Sequence, residues 1–193
     1  MKIHIVDDDE TILDAATFML AKAGYEVISW SDSRSFLEEA EIFEPAIVLL
    51  DMKMPYIDGS QLHRLLKQKN SLLQVIIMTA FADVKMAVNE LKLGAVDFLE
   101  KPLAFDKLKV ALENAKTLSQ KRYQQYQIEQ NYQRLSEKEK EILARIVDGY
   151  INKQIADELN IAVRTVEVHR SHIMEKMQAK NLADLVRKVN LLE

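Results

Sequence analysis

The stretch AIVLLD, residues 46–51, decides the fold class, because five apolar residues run without interruption into an aspartate. A strand that is apolar on both faces is typical of the centre of a parallel sheet, where helices cover both sides. Residues 73–78, LQVIIM, repeat the pattern. Further short apolar runs are separated from these by segments of helical length: KIHIV, EVISW and VDFL. The alternation predicts an α/β domain with a doubly wound, five-stranded parallel sheet.

Polar residues stand at the ends of four of these strands. Asp7 and Asp8 follow the first strand, Asp51 ends the third, Thr79 ends the fourth and Lys101 follows the fifth. Ligands of an open parallel sheet bind outside the carboxyl ends of its strands, so we expect these side chains to converge. Mg²⁺ prefers carboxylate ligands, which makes Asp8 and Asp51 candidate metal ligands. Beside the ion, Asp51 is a candidate nucleophile for forming an aspartyl phosphate.

Each of these residues also has an ordinary structural interpretation. Asp8 or Asp9 could cap the helix that follows, where aspartate is favoured without any binding site. Taken singly, Asp51, Thr79 and Lys101 would be a loop residue, a strand end and a solvated charge. Their joint position at strand ends favours the site.

The composition narrows the class of protein. With 193 residues, 48% of them hydrophobic, the chain can form one good core or two modest ones. The absence of cysteine excludes disulfides and thiolate metal sites. No apolar run approaches the roughly 18 residues of a membrane span and no signal peptide follows Met1, so we expect a soluble, cytoplasmic protein. The chain has a net charge of −4 and no polycationic tail. Any binding of nucleic acid must therefore come from a local surface of the protein and not from its overall charge.

Glycines and composition mark the organisation of the chain. Three of its four glycines fall where helices are expected to end or turns to form: Gly24, Gly59 and Gly94. Residues 119–134 are rich in Gln, Lys, Arg and Tyr and lack core-forming apolar density, which predicts a largely helical linker. This linker would join a domain at 1–118 to a second domain at 135–193.

Four amphipathic patterns predict that the second domain is all-α, with four helices. The first pattern begins at Ser136, with Glu139 three residues on, as in a capping box. The next two, in NKQIADELNIAVRTVEVHRSHIMEKM, predict a helix-turn-helix in which Asn160 takes the left-handed conformation. The outer polar stripe of the second of these helices would fit a DNA major groove, be solvated, or bind another protein. The apolar residues of the last helix would pack in the core or against a second copy: Leu185, Val189 and Leu192.

The first domain resembles the receiver domain of two-component response regulators, a flavodoxin-like fold. The likeness rests on the acidic pair after the first strand, on LLDMKMPYIDG, on TAFAD and on FLEKPL. It implies that Asp51 is the phosphoacceptor and that Thr79 and Lys101 contact the phosphoryl group. It implies that Mg²⁺ is bound directly by the carboxylates of Asp8 and Asp51 and by the backbone carbonyl of Lys53. Asp7 would act on the ion through a water molecule.

Two phenylalanines bear on the phosphorylated state. Phe98 matches the aromatic switch position of the family, which packs inward as Thr79 moves; a core or interface residue is the alternative. Phe81 flanks the site, and its apolar ring cannot position a water molecule by hydrogen bonding. The resemblance therefore implies a long-lived phosphoryl group.

The second domain is similar to the LuxR-type helix-turn-helix, over residues 132–193. The likeness rests on LSEKEKEILARIVDGYINKQIADELNIAVRTVEVHRSHIMEKM. Matching positions imply that bases are read by Glu167, Val168 and Ser171, with Arg164 or Arg170 beside them. They imply phosphate contacts from Lys153, Thr165 and Lys176. Glu167 departs from relatives that carry a basic residue there; it would repel phosphate but can accept a hydrogen bond from a cytosine amino group.

Together the two domains resemble the FixJ/NarL class of response regulators, which implies a DNA-binding transcription regulator and not an enzyme. A sensor histidine kinase would phosphorylate Asp51. A homodimer would then form through the face around VKMAVNELKLGAVDF and bind promoter DNA. The expected partners are the kinase, double-stranded DNA, a second copy and RNA polymerase, with no membrane. The rival hypotheses are a phosphatase with an aspartyl nucleophile and an adaptor whose helical domain binds protein.

Overall fold

Strand β3 (Ala46–Asp51) lies at the centre of the sheet and is buried along its whole length. It pairs with β1 (Lys2–Val6) on one side and with β4 (Gln74–Thr79) on the other, and the edges are β2 (Glu26–Trp30) and β5 (Asp97–Glu100). The strands are parallel, in the order β2-β1-β3-β4-β5. The predicted α/β class and its five-stranded, doubly wound sheet are confirmed.

The computed structural model describes residues 1–79 and 84–192. The chain divides into two compact units, Met1–Tyr123 and Gln124–Glu193, and the division falls within the helix that spans Phe105–Gln133. The first five helices are α1 (Glu10–Lys22), α2 (Ser33–Glu39), α3 (Gly59–Gln68), α4 (Val84–Leu93) and α5 (Phe105–Gln133). None of the helices in the described ranges has the length and apolarity that a membrane span requires.

Alternate residues of the central strand face two apolar cores. Ile47 and Leu49 pack in a cluster with residues of α1 and α5, whereas Val48 and Leu50 pack in a cluster with residues of α2 and α3. This alternation follows from the two-residue period of a strand. Because helices cover both faces, the carboxyl ends of the strands are where polar side chains can gather.

Gly59 does not end a helix but lies where the loop after β3 meets α3. It is the first residue of α3, after the N-cap residue Asp58. A Cβ atom at Gly59 would overlap the carbonyl oxygen of Asp51 and lie 2.8 Å from the Cα of Met52. Glycine is therefore required because α3 begins in close contact with the end of β3. The other two glycines, Gly24 and Gly94, follow helices, as predicted, and both have a positive φ.

We expect Gly59→Ala to lower the free energy of unfolding by about 3 kcal/mol. The atoms that the new methyl group would meet belong to the backbone and cannot turn aside as a flexible side chain would. Denaturant unfolding of the purified variant measures the loss. Gly24→Ala is the control, because a Cβ there meets nothing within 4 Å and adds only the strain of a positive φ. Equal losses in the two variants would contradict the role assigned to close approach.

The second unit has the predicted all-α arrangement. After α5, its helices are α6 (Glu137–Val147), α7 (Asn152–Leu159), α8 (Val163–Lys176) and α9 (Leu182–Val189). The capping box of Ser136 and Glu139 is present at the start of α6. Asn160 ends α7 with a φ of 50°, the left-handed conformation expected in the turn. The predicted helix-turn-helix is thus formed by α7 and α8.

The apolar core of this unit includes residues of the last helix, α9. Leu185 of α9 is 1% exposed and lies in one apolar cluster with Val166 and Ile173 of α8. Val189 and Leu192 pack against the same cluster. Leu185 therefore serves the core of its own unit, whereas Val189 and Leu192 are only half-buried against it, and their packing against a second copy stays a prediction.

Candidate functional site

Three carboxylates meet at the carboxyl ends of β1 and β3. Asp7 is fully buried and Asp51 is nearly so, whereas Asp8 is exposed. One oxygen from each can be chosen so that the three lie within 4.8 Å of one another. The Nζ of Lys101 lies 2.6 Å from Oδ2 of Asp7 and 2.5 Å from Oδ1 of Asp51. The structure thus brings together four residues that follow or end three different strands.

Backbone amides fix two of these carboxylates. The N–H of Lys53 donates to Oδ2 of Asp51 at 2.7 Å, and the N–H of Asp9 donates to Oδ1 of Asp7 at 3.1 Å. Asp9 accepts from the N–H of Thr11 at 2.8 Å and is the N-cap of α1. Asp9, and not Asp8, is therefore the N-cap that the sequence left open. Capping of α1 does not explain the aspartate at position 8.

The electrostatics of the cluster favour a bound cation. Burial raises the pKa of Asp7, although the hydrogen bond and charge of Lys101 oppose the rise. Burial would lower the pKa of Lys101, but its contacts with Asp51 and Asp7 outweigh burial and hold that pKa above its usual value. One lysine cannot balance three carboxylates. A divalent cation would offset the excess charge, and an all-oxygen donor set suits Mg²⁺.

The remaining predicted residues of this region lie on β4 and β5. Thr79 is the last residue of β4, and its carbonyl oxygen accepts from the N–H of Lys101 at 2.8 Å. Phe98 lies on β5 and is 38% exposed, so it is not part of the core. Phe81, for which the sequence predicts a role in the lifetime of a phosphoryl group, lies outside the described residues.

Helix α8 presents a mixed stripe on the side opposite its buried residues. Its exposed side chains are Arg164, Thr165, Glu167, Val168 and Ser171, and Arg170 beside them is half-buried. The Nη1 of Arg164 lies 3.1 Å from Oε2 of Glu167. Lys153, in the first turn of α7, is also exposed. The stripe combines hydrogen-bond donors, acceptors and an apolar group, which is the chemistry that reads base edges in a major groove.

Lys176 differs from the other predicted DNA contacts. Its Nζ lies 2.7 Å from Oε2 and 3.0 Å from Oε1 of Glu139, the buried carboxylate of the α6 capping box. Burial would raise the pKa of Glu139, but hydrogen bonds from Lys176 and from the backbone of Ser136 outweigh burial and lower that pKa. The structure therefore gives Lys176 a partner within its own unit, and the phosphate contact expected from sequence stays a prediction.

A second buried polar cluster joins α3 to α4. The hydroxyl of Ser60 donates to Oε1 of Glu90 at 2.5 Å, and Nδ1 of His63 lies 2.7 Å from Oε2. His63 is fully buried, and burial lowers its pKa against the opposing effect of Glu90. A neutral ring that donates its Nδ1–H satisfies this contact. Sequence reasoning missed the cluster because serine, histidine and glutamate on helices are usually solvated.

Each of the two units matches a known protein family. Residues 3–113 match the response regulator receiver domain, and residues 133–189 match the bacterial regulatory proteins of the luxR family. The chain belongs to the response regulators. The resemblance inferred from its sequence motifs is confirmed, and the acidic cluster and helix α8 lie in different domains of this response regulator.

Several response regulators match nearly the whole chain. The tetrathionate response regulatory protein TtrR of Salmonella typhimurium is 45% identical over 186 residues, which are 96% of this chain and 90% of TtrR. FixJ of Bradyrhizobium diazoefficiens is 36% identical over 189 residues, 96% of this chain and 92% of FixJ. The structure of the response regulator StyR superimposes with a TM-score of 0.75 at 35% sequence identity, and the match covers 98% of this chain and 98% of the StyR chain. The receiver domain and the LuxR-type domain together support a transcriptional regulator.

Proposed function

We propose that this response regulator accepts a phosphoryl group on Asp51 and then binds promoter DNA as a homodimer. The observation that carries the proposal is the pairing of Asp51 with Lys101 inside an acidic cluster, in the same chain as a helix-turn-helix whose second helix, α8, has an exposed polar stripe. A sensor histidine kinase is the proposed donor. The protein would act as a stoichiometric acceptor and not as an enzyme that turns over a substrate.

The acidic cluster supplies the residues that would hold Mg²⁺. Asp7, Asp8 and Asp51 offer carboxylate oxygens, and the backbone carbonyl of Lys53 would complete the protein ligands. When bound, the ion would neutralise charge on the carboxylates and on an incoming phosphoryl group. Asp7 and Asp51 are buried and share a single cation, Lys101, and this partly compensated negative charge supports the assignment.

The transfer itself requires little covalent chemistry from the protein. A carboxylate oxygen of Asp51 attacks the phosphorus of a phosphohistidine, so an O–P bond forms as the N–P bond to the imidazole breaks. Lys101 already contacts that carboxylate and would exchange this contact for one with a phosphoryl oxygen. The hydroxyl of Thr79 would donate to another phosphoryl oxygen.

An apolar groove beside the site suits the kinase as a docking partner. The groove has a volume of about 530 Å³ and is bordered by Lys101 of the acidic cluster. Phe18 on the same helix, α1, is 72% exposed. A donor that brings its phosphohistidine to Asp51 must cover this rim, and apolar side chains of the kinase would fill the groove. Its apolar lining comes from α1 and from the segment after β5: Ile12, Ala15, Ala16, Met19, Pro102 and Leu103.

A second apolar surface supports the homodimer. Val88 and Leu91 of α4 and Phe98 of β5 are all more than a third exposed. Movement of Thr79 and Phe98 on phosphorylation would reshape this surface and favour a dimer. The dimer would place two α8 helices roughly 34 Å apart, one turn of DNA, which suits an inverted repeat. Bound at the promoter, the dimer would contact RNA polymerase.

Capture of genomic DNA tests the function. Purified protein is mixed with fragments of the genome that encodes it, with and without beryllium fluoride and Mg²⁺, which together mimic an aspartyl phosphate. We expect a few inverted repeats to be enriched only with the treated wild type, and not with Asp51→Asn. No enrichment in any sample would favour the protein-binding adaptor. Equal enrichment in every sample would retain the DNA reader and remove the phosphorylation switch.

A further inference from the structure

The loop between β3 and α3 contains a rare backbone turn. Tyr56 has a φ of 69°, and the N–H of Ile57 donates to the carbonyl oxygen of Pro55 at 2.9 Å. This bond between residues two apart closes a γ-turn with a positive φ at its centre, a rare and strained form. Tyrosine lacks the freedom that glycine or asparagine has in this region. Such strain persists only where surrounding contacts hold it.

Contacts from the start of α2 hold this turn. The guanidinium carbon of Arg34 lies 3.7 Å from the centroid of the Tyr56 ring, a cation–π contact. The Oγ of Ser33, which is 1% exposed, donates to the carbonyl oxygen of Ile57 at 2.9 Å. Ser33 and Arg34, adjacent on α2, therefore contact Ile57 and Tyr56, adjacent in the loop. We call these four residues the loop clamp.

The Arg34 side chain is itself held in place. Its Nη2 donates to Oδ2 of Asp32 at 2.6 Å and its Nε donates to Oδ1 at 3.1 Å. Asp32 also caps α2 by accepting from the backbone N–H of Arg34 at 2.7 Å. The hydrogen bonds from Arg34 lower the pKa of Asp32 to about 2. The guanidinium plane is thus fixed over the ring by a two-point contact and not only by a flexible stem.

The clamped turn is part of the loop that carries Lys53, whose backbone contacts Asp51 of the acidic cluster. Lys53 lies three residues before Tyr56, and its N–H donates to Oδ2 of Asp51. At the other end of the loop, the N–H of Gly59 donates to the carbonyl oxygen of Met52 at 3.2 Å. The loop is therefore closed on itself at its base and held from outside at Tyr56. A change at Tyr56 would be transmitted to Lys53 through only two intervening residues.

We propose that Arg34 and Tyr56 are positioning residues, which hold Lys53 ready for the metal and for Asp51. The inference rests on the proposed function, because it deepens the role given there to the Lys53 carbonyl. Without the clamp the strained turn relaxes, and the loop spends only part of its time in the conformation that binds the ion. The apparent affinity for Mg²⁺ falls in proportion to the fraction of time that the loop spends in the binding conformation.

Thermal unfolding of the full chain across a series of Mg²⁺ concentrations gives the concentration at half-saturation. We expect Arg34→Ala to raise this concentration roughly threefold to tenfold. Tyr56→Leu, which keeps an apolar side chain but loses the ring, should raise this concentration by a similar factor, and Tyr56→Phe, which keeps the ring, should raise it much less. Lys2→Ala is the control, because it removes an exposed ion pair with Glu41 elsewhere in the receiver domain.

Hydrogen exchange provides a readout that does not involve the metal. In Arg34→Ala without Mg²⁺, the amide of Lys53 should exchange several-fold faster, while amides of the β3 strand keep their wild-type rates. Unchanged Lys53 exchange together with unchanged half-saturation overturns the clamp. If the wild type shows no response to Mg²⁺ at all, the metal site of the proposed function fails, and Lys53 exchange still decides whether the clamp holds the loop.

Discussion

Replacing Asp51 with asparagine is expected to reduce phosphoryl incorporation from roughly one group per chain to none. The amide of asparagine cannot form the acyl phosphate, since its nitrogen and oxygen are much weaker nucleophiles than a carboxylate oxygen. The substitution also removes the charge that pairs with Lys101 at 2.5 Å. Intact-mass measurement after incubation with acetyl phosphate and Mg²⁺ counts the phosphoryl groups directly.

A matched variant separates chemistry from general damage. Asp14→Asn makes the same change at an exposed position of α1 and should retain full incorporation. Because Asp51 is buried, its variant must also be shown to fold, by far-ultraviolet circular dichroism and thermal unfolding. Incorporation that survives in folded Asp51→Asn would mean that another residue, such as Asp7 or Asp8, accepts the group. The assignment of Asp51 would then be wrong.

The strands and the acidic cluster could be predicted because each depends on short stretches of chain. The apolar run before Asp51 identifies a central strand by its own composition, and the topology of a parallel sheet then brings strand ends together. The same logic located Asp7, Asp8 and Lys101. Their mutual contacts required no knowledge of how the helices pack.

Features that depend on distant partners could not be predicted. Glu139 was recognised as a capping residue from the three-residue spacing to Ser136, but its second partner, Lys176, lies 37 residues further on. The sequence predicts a helix end or a turn at Gly59, but only the approach of α3 to β3 shows that no Cβ fits there. The positive φ of Tyr56 contradicts the preference of its residue type, so local propensity argues against it. For Tyr56, tertiary packing outweighs the local preference, whereas for Glu139 it adds a partner to a local pattern that holds.

Replacing Val168 with aspartate is expected to weaken specific DNA binding by roughly a hundredfold. Val168 is 43% exposed at the middle of the α8 stripe and lies outside the apolar core of its unit. An aspartate there loses apolar contact with a base edge and places a negative charge close to the DNA backbone. Fluorescence anisotropy with the operator found by genomic capture, in beryllium fluoride and Mg²⁺, measures the dissociation constant. Ser171→Asp, one turn along the same stripe, should have a similar effect.

The interpretation of such a loss depends on a control for charge. Val110→Asp adds the same charge at an exposed valine of α5, within the receiver match, and should change the affinity little. If both variants lose binding equally, net charge explains the effect and α8 is not the reader. If folded Val168→Asp binds as the wild type does, the stripe does not enter the groove, and the protein-binding adaptor becomes the better hypothesis. Loss in Val168→Asp alone requires that the exposed face of α8 contacts the DNA, because its substitution leaves the core of the domain intact.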